Sequence, residues 1–190
     1  MKKNMIVSGF CALALLISLS ACKKDSSETC GSGLLCAHVD GVSYTAKPYN
    51  SRSSIFSGTS YNGSFAQLVA NSTSTGGYYM NLSGNNGDAN TDATWEIDMR
   101  ITQLPVAGST YTTQAGSASF DYYAGTASAQ LHYTTDATHS GTVTITRIDT
   151  AANLVSGTFS FEANTPSGQT QTPTTHSITS GSFTDLVIRR

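Results

Sequence analysis

The most constraining stretch of this chain is Trp95-Glu96-Ile97-Asp98-Met99-Arg100-Ile101-Thr102. Apolar and polar residues alternate without a break. Trp95, Ile97, Met99 and Ile101 fall on one side; Glu96, Asp98, Arg100 and Thr102 fall on the other. A side-chain period of two belongs to a β-strand, because a helical period would mix the two sets on one face. The stretch therefore has one face in a core and one in water. Any fold open to the chain must supply an apolar layer opposite it.

Other segments follow the same pattern less strictly. Residues 37–39 and 42–46 flank Asp40-Gly41, a favoured two-residue hairpin turn. Strands are predicted over 65–71, 78–83, 117–123, 128–134, 141–148, 154–163 and 177–188. No helical period stands out after residue 30. Nine or ten strands at near-regular spacing, separated by turn residues, predict an all-β fold: a single antiparallel β-sandwich or barrel-like domain. The connections are too short to hide crossover helices, which favours antiparallel pairing. Residues 84–92 and 164–173 read as long polar loops.

Charged residues make up only 12% of the chain, against ~25% in typical domains. Ser, Thr, Asn and Gly take their place, a common surface for exported β proteins. The formal charge is −2 and there is no basic cluster. Nucleic acid is excluded as a partner, since phosphate binding needs a Lys/Arg footprint.

Met1, Lys2 and Lys3 precede an apolar run from Met5 to Leu19, a positive n-region followed by a short h-region. The run falls short of the ~20 residues of a spanning helix. Leu19-Ser20-Ala21-Cys22 resembles a bacterial lipoprotein box. The resemblance implies cleavage before Cys22 and acylation of that cysteine. Several acyl chains on one residue exceed the roughly two signals needed for stable anchoring. Residues 1–21 are then a signal peptide, 22–35 a lipid-anchored tether and 36–190 the β domain. Loss of Lys2 and Lys3 takes the formal charge to −4. The expected location is the outer membrane. Lys24-Asp25, with Glu28 beyond, resembles the signal that sends Bacteroidota lipoproteins to the cell surface. A plain solvated linker is the other reading, so the periplasmic and outer faces both stay open.

Cys11 leaves with the leader and Cys22 carries lipid. Cys30 and Cys36 remain, in "CGSGLLC". An even pair in an oxidising compartment reads as a structural disulfide, with free thiols as the alternative.

The stretch "GTVTITRIDTAANLVSGTFSFEA", residues 141–163, with Gly181-Ser182-Phe183 after it and "HVDGVSYTA" and "VAGSTYTT" before it, resembles a group of Bacteroidota lipoproteins. The resemblance covers most of residues 36–188. It implies a small antiparallel β domain on a lipid anchor and no particular activity. Val155, Gly157, Phe159 and Phe161 should alternate inward, with Gly157 allowing a bulge or a close approach. Asp149-Thr150-Ala151 also resembles a Bacteroidota O-glycosylation site, with Thr150 as acceptor.

Asp88, Asn90 and Asp92 alternate like the first half of a calcium loop, but Ala93 and Met99 stand where that loop needs Gly and Glu. A polar Asn/Gly/Asp loop is the favoured reading, and no cofactor is expected. Glu96 and Asp98 share a face ~7 Å apart along the strand, a range at which paired carboxylates can cleave glycosides. Arg100 continues that face, so a solvated mixed-charge stripe is preferred. His38, His132, His139 and His176 show no metal-ligand spacing, and no Gly-x-Ser-x-Gly elbow occurs. Tyr78-Tyr79 and Tyr122-Tyr123 are adjacent pairs, so one of each should point outward. Exposed tyrosines suit stacking on sugar rings or a protein surface.

The sequence thus predicts a lipid-anchored outer-membrane binding or accessory module without catalysis, its partner a glycan or an envelope protein. The alternatives are a polysaccharide hydrolase using Glu96 and Asp98, and a purely structural envelope protein.

Overall fold

A computed structural model describes residues 30–49, 63–71, 77–86, 94–126 and 129–189. Among these residues there is no helix. The chain forms β1 (Leu34–Val39), β2 (Val42–Thr45), β3 (Phe65–Asn71), β4 (Gly77–Asn85), β5 (Thr94–Ile101) and β6 (Thr110–Thr112). It continues through β7 (Ala118–Thr126), β8 (Ala129–Thr134), β9 (Gly141–Asp149), β10 (Leu154–Asn164) and β11 (Thr175–Arg189).

All eleven strands belong to one hydrogen-bonded system in the order β2-β1-β11-β3-β4-β5-β7-β8-β10-β9-β6, with a further β10–β11 pairing. That last pairing folds the sheet back on itself. The join between β8 and β10 is a single residue pair, Thr134 with Asn164. The join between β11 and β3 is two pairs, Ile188 with Ala66 and Arg189 with Gln67. Two layers result, held by thin corners: β2-β1-β11-β10-β9-β6 in one and β3-β4-β5-β7-β8 in the other. The expectation of an all-β sandwich or barrel-like domain holds.

Two details differ from the sequence reading. Thr110–Thr112, given no strand in the sequence reading, is a short edge strand on β9. Its Tyr111 is buried and accepts the Val106 amide on its hydroxyl at 2.7 Å. The sheet is also mixed, because β11 meets β3 in parallel. Those strands are far apart in sequence, so no local connection dictates their direction.

The core lies between the layers. Trp95, Ile97, Met99 and Ile101 of β5 are all buried, as the alternation requires. They meet Val155, Phe159, Phe161, Ile178, Phe183 and Leu186 from the other layer within one apolar cluster. Gly157 pairs with Phe183, and Phe159 with Gly181. A Cβ on Gly157 would come within 2.4 Å of Phe183 Cζ, and one on Gly181 within 2.5 Å of Phe159 Cε2. Each phenyl ring thus occupies the space above the opposing glycine. The register shifts beside Gly157 on both flanks of β10. A bulge and a close approach therefore coincide there.

Asp40 and Gly41 form the β1–β2 turn, both with positive φ. Asp40 also reaches β11. Its carboxylate accepts the Ser177 amide at 2.9 Å and lies 2.6 Å from His176 Nδ1. The His176 ring packs edge-on against Tyr122 and Tyr133. The hairpin end is thereby fixed to the core.

Candidate functional site

The polar side of β5 faces outward at the centre of the second layer, and register decides its neighbours. Asp98 stands between Ser83 of β4 and Asp121 of β7. Arg100 stands between Asn81 and Ser119, and Glu96 between Asn85 and Tyr123. On the flanks, Phe65 and Gln67 of β3 oppose Ser83 and Asn81, while His132 of β8 opposes Tyr123. Alternation on four further strands therefore brings one side-chain set onto the face begun by Glu96 and Asp98.

This face is concave. A cavity of about 320 Å³ is lined by Gln67, Asn81, Ser83, Glu96, Asp98, Arg100, Ser119 and Asp121, with Phe65 at its edge. Phe65 is only 8% exposed although it sits on the outward side. The Tyr49 ring packs against it edge-on at 6.2 Å, and the Arg189 guanidinium lies 3.8 Å over Tyr49. That aromatic shoulder withdraws the cavity floor partly from water.

The carboxylates respond to this setting. Burial pushes the Asp98 carboxyl up to about 7, and the neighbouring charges of Glu96 and Asp121 add to the rise. Burial also raises Glu96, against the hydrogen bonds it accepts from Ser83 and Asn85; the Ser83 Oγ donor lies 3.1 Å away. Burial and the three carboxylates Asp121, Asp98 and Glu96 push the Tyr123 phenol up to about 12. Asp121 holds His132 Nε2 at 2.8 Å, and the His132 ring stacks on Tyr123 at 4.7 Å and 12°. The Arg100 guanidinium lies 4.1 Å over the Tyr79 ring. The expected solvated stripe is thus a half-buried, proton-holding cluster, because its partners come from strands that sequence spacing does not connect.

The tyrosine pairs split as alternation requires. Tyr79 and Tyr123 lie on the cavity face, both partly exposed. Tyr122 is a correction to the ligand-facing set: it is 4% exposed and packs in the core against Tyr133. Tyr78 is 50% exposed but shares the side of β4 that carries Met80 and Leu82 into the core. It lies beyond the core's edge, away from the cavity face.

The other candidates stand apart from this face. Cys30 and Cys36 form a disulfide with a Cα–Cα distance of 5.7 Å. Thr150 is exposed at the β9–β10 turn, where the Asp149 carboxylate accepts the Ala151 and Ala152 amides. His38 pairs with Ser43, His139 with Asp136 and His176 with Asp40. No group of three or more His, Cys, Asp or Glu is placed to hold a metal among the described residues. Cys22 and the Asp88, Asn90 and Asp92 loop lie outside the described residues.

Sequence reasoning missed Asp121, His132, Gln67, Asn81 and Ser83 as members of the face. One signal was present. Asp121 and Tyr123 have the same parity on β7, so the tyrosine assigned outward carried the carboxylate with it.

No curated protein and no solved structure matches this chain. A family model described as a domain of unknown function (DUF6252) matches residues 35–186, reaching from β1 into β11 and including the whole cavity face. The chain belongs to that family.

Proposed function

We propose that the protein is a lipid-anchored binding module of the outer membrane, without catalysis, that takes a glycan on the outward face of β3-β4-β5-β7-β8. One observation carries this reading: Tyr79 of β4 and Tyr123 of β7 share the outward face on which a concave cavity is lined by amide, hydroxyl and carboxylate groups. Planar polar groups can pair with sugar hydroxyls while aromatic rings cover the apolar faces of a sugar. The anchor follows from the resemblance at Cys22.

Glycan-array binding followed by titration tests the site. The Tyr79→Ala/Tyr123→Ala variant should lose the hits of the native protein, whereas Tyr78→Ala should keep them. Retention of every hit by the double variant would defeat the assignment. Labelled palmitate incorporated by the native protein but not by Cys22→Ala tests the anchor. Protease treatment of intact and lysed cells distinguishes the outer from the periplasmic face.

A second reading, a polysaccharide hydrolase, is favoured by the raised Asp98 and Glu96 carboxyls. A carboxyl still protonated near neutrality can act as a general acid while its neighbour serves as base or nucleophile. Turnover of a polysaccharide, abolished by Glu96→Gln and by Asp98→Asn, would establish it. An intact polysaccharide panel would leave the binding reading.

A further inference from the structure

The first layer carries a second outward face with a different chemistry. Thr142, Thr144 and Thr146 alternate along β9, Ser156, Thr158 and Ser160 along β10. Register aligns them into rows. Thr110 of β6 opposes Thr144, Thr144 opposes Thr158, and Thr158 opposes Ser182 of β11. This row of four hydroxyl side chains crosses four strands, or ~14 Å at the usual strand spacing. A parallel row begins with Thr112, Thr142 and Ser160.

The β9, β10 and β11 members of these rows line a trough of about 550 Å³. Nine of its fourteen lining residues are Ser or Thr and none is charged. At one end Arg147 is paired, 2.7 Å from Asp149 and 2.8 Å from Asp185; at the other, Glu162 follows Ser160 on the same side of β10 but lies outside the trough's lining. Asp185 in turn accepts the Ser156 hydroxyl. Thr110 and Thr144 share one hydrogen bond at 2.8 Å. In the middle of the trough, no protein group among the described residues takes up the Thr158 or Ser182 hydroxyl.

The Thr142 and Ser160 hydroxyls also share one bond, at 3.4 Å; with Thr158 and Ser182 unspent and the paired ones bonded to each other, the rows keep donor and acceptor capacity at regular intervals and carry no charge. An ionic partner would find nothing to repay its desolvation. A protein partner would find few apolar or aromatic anchors. A chain of neutral sugars presents the same alternation of donor and acceptor. Location supports that occupant. Cys30 lines the trough, and only seven residues lie between it and Cys22, a reach of at most about 28 Å over eight Cα steps.

We propose that this trough is a second binding site, for a neutral polysaccharide chain of the cell envelope, held against the surface by the lipid anchor. The location argument rests on the Cys22 anchor proposed above; the chemistry of the trough does not.

Native gels cast with dextran, yeast mannan or laminarin test it on the full-length protein in non-ionic detergent. At least one polysaccharide should retard the native protein. The Thr144→Val/Thr158→Val/Ser182→Ala variant removes three hydroxyls but keeps the β-branched side chains, so the sheet is preserved. Its apparent affinity should fall roughly ten-fold or more, and Thr158→Ser should retain binding. Tyr79→Ala/Tyr123→Ala should be retarded like the native protein, which separates this site from the other face. No retardation by any of the three, or equal retardation of the hydroxyl variant, overturns the proposal. Concentration-dependent dimerisation abolished by the triple variant would assign the trough to a second copy and overturn it as well.

Discussion

Asp98 of β5 lies directly opposite Asp121 of β7, with Glu96 two residues along on the same face. Like charges placed opposite each other across a sheet are destabilising. Burial above all, then the charges of Glu96 and Asp121, pushes the Asp98 carboxyl up to about 7, so a proton held there toward neutrality also relieves the opposed pair. The arrangement has a stability cost that depends on pH.

A carboxyl raised in the fold binds its proton more tightly folded than unfolded. Its contribution is intact below the unfolded value of 3.8 and is lost as pH rises toward about 7. Glu96 acts in the same direction. Thermal melts should show falling stability from pH 4 to pH 7. Asp98→Asn should flatten that slope, stabilising the protein above pH 7 by on the order of 2 kcal/mol. At pH 4 the variant and the native protein should melt together. An unchanged slope in Asp98→Asn would mean that the carboxyl is not the proton-holding group.

Tyr122 and Tyr123 are neighbours in sequence with opposite tasks. Tyr122→Ala empties a core site and should cost about 3–5 kcal/mol in a urea unfolding experiment. Tyr123→Ala removes a partly exposed ring and should cost under about 1 kcal/mol, while weakening glycan binding. Equal stability losses would mean that the two rings are not on opposite sides of β7.

Gly157 has no room for a methyl group. A Cβ there would lie 2.3 Å from the Thr144 carbonyl oxygen and 2.4 Å from Phe183 Cζ. Gly157→Ala should destabilise by about 1–3 kcal/mol, and Gly157→Ala with Phe183→Leu should recover part of the loss. Gly33→Ala tests a different limit. Nothing lies within 4 Å of its Cβ, so backbone strain at φ 75° is its main cost.

The Cys30–Cys36 bridge closes a small loop. Removing it with Cys30→Ser/Cys36→Ser should cost about 2 kcal/mol by loop-closure entropy. Reductant should lower the melting temperature of the native protein to that of the variant, and leave the variant unchanged.

What the sequence disclosed was periodicity. Trp95 to Ile101 announced a strand and its buried side, and Asp40-Gly41 announced the first hairpin; both are as expected. Ser156 to Phe161 announced a strand whose glycine had to face something bulky. Register between distant strands was not legible. Asp121 joins Asp98 only because β7 pairs with β5, and β6 intervenes in the chain on the other layer. Phe65, which lines the same cavity as Glu96 and Asp98, comes from more than thirty residues upstream. Thr110–Thr112 escaped notice because three residues are too few to display a period. The hydroxyl rows were visible as alternating Ser and Thr, but their alignment across four strands is a property of the sheet alone.

The longest strand, β11, follows all its partners in the chain and pairs with β1, β3 and β10. No N-terminal fragment can complete the first layer without it, or close the corner that joins this layer to β3. A polypeptide emerging N-terminus first would leave the first layer split, with β1 and β10 unjoined, until residues 175–189 arrive. Closure of the fold is thus deferred until the C-terminal strand is available, whatever the earlier strands have already paired with.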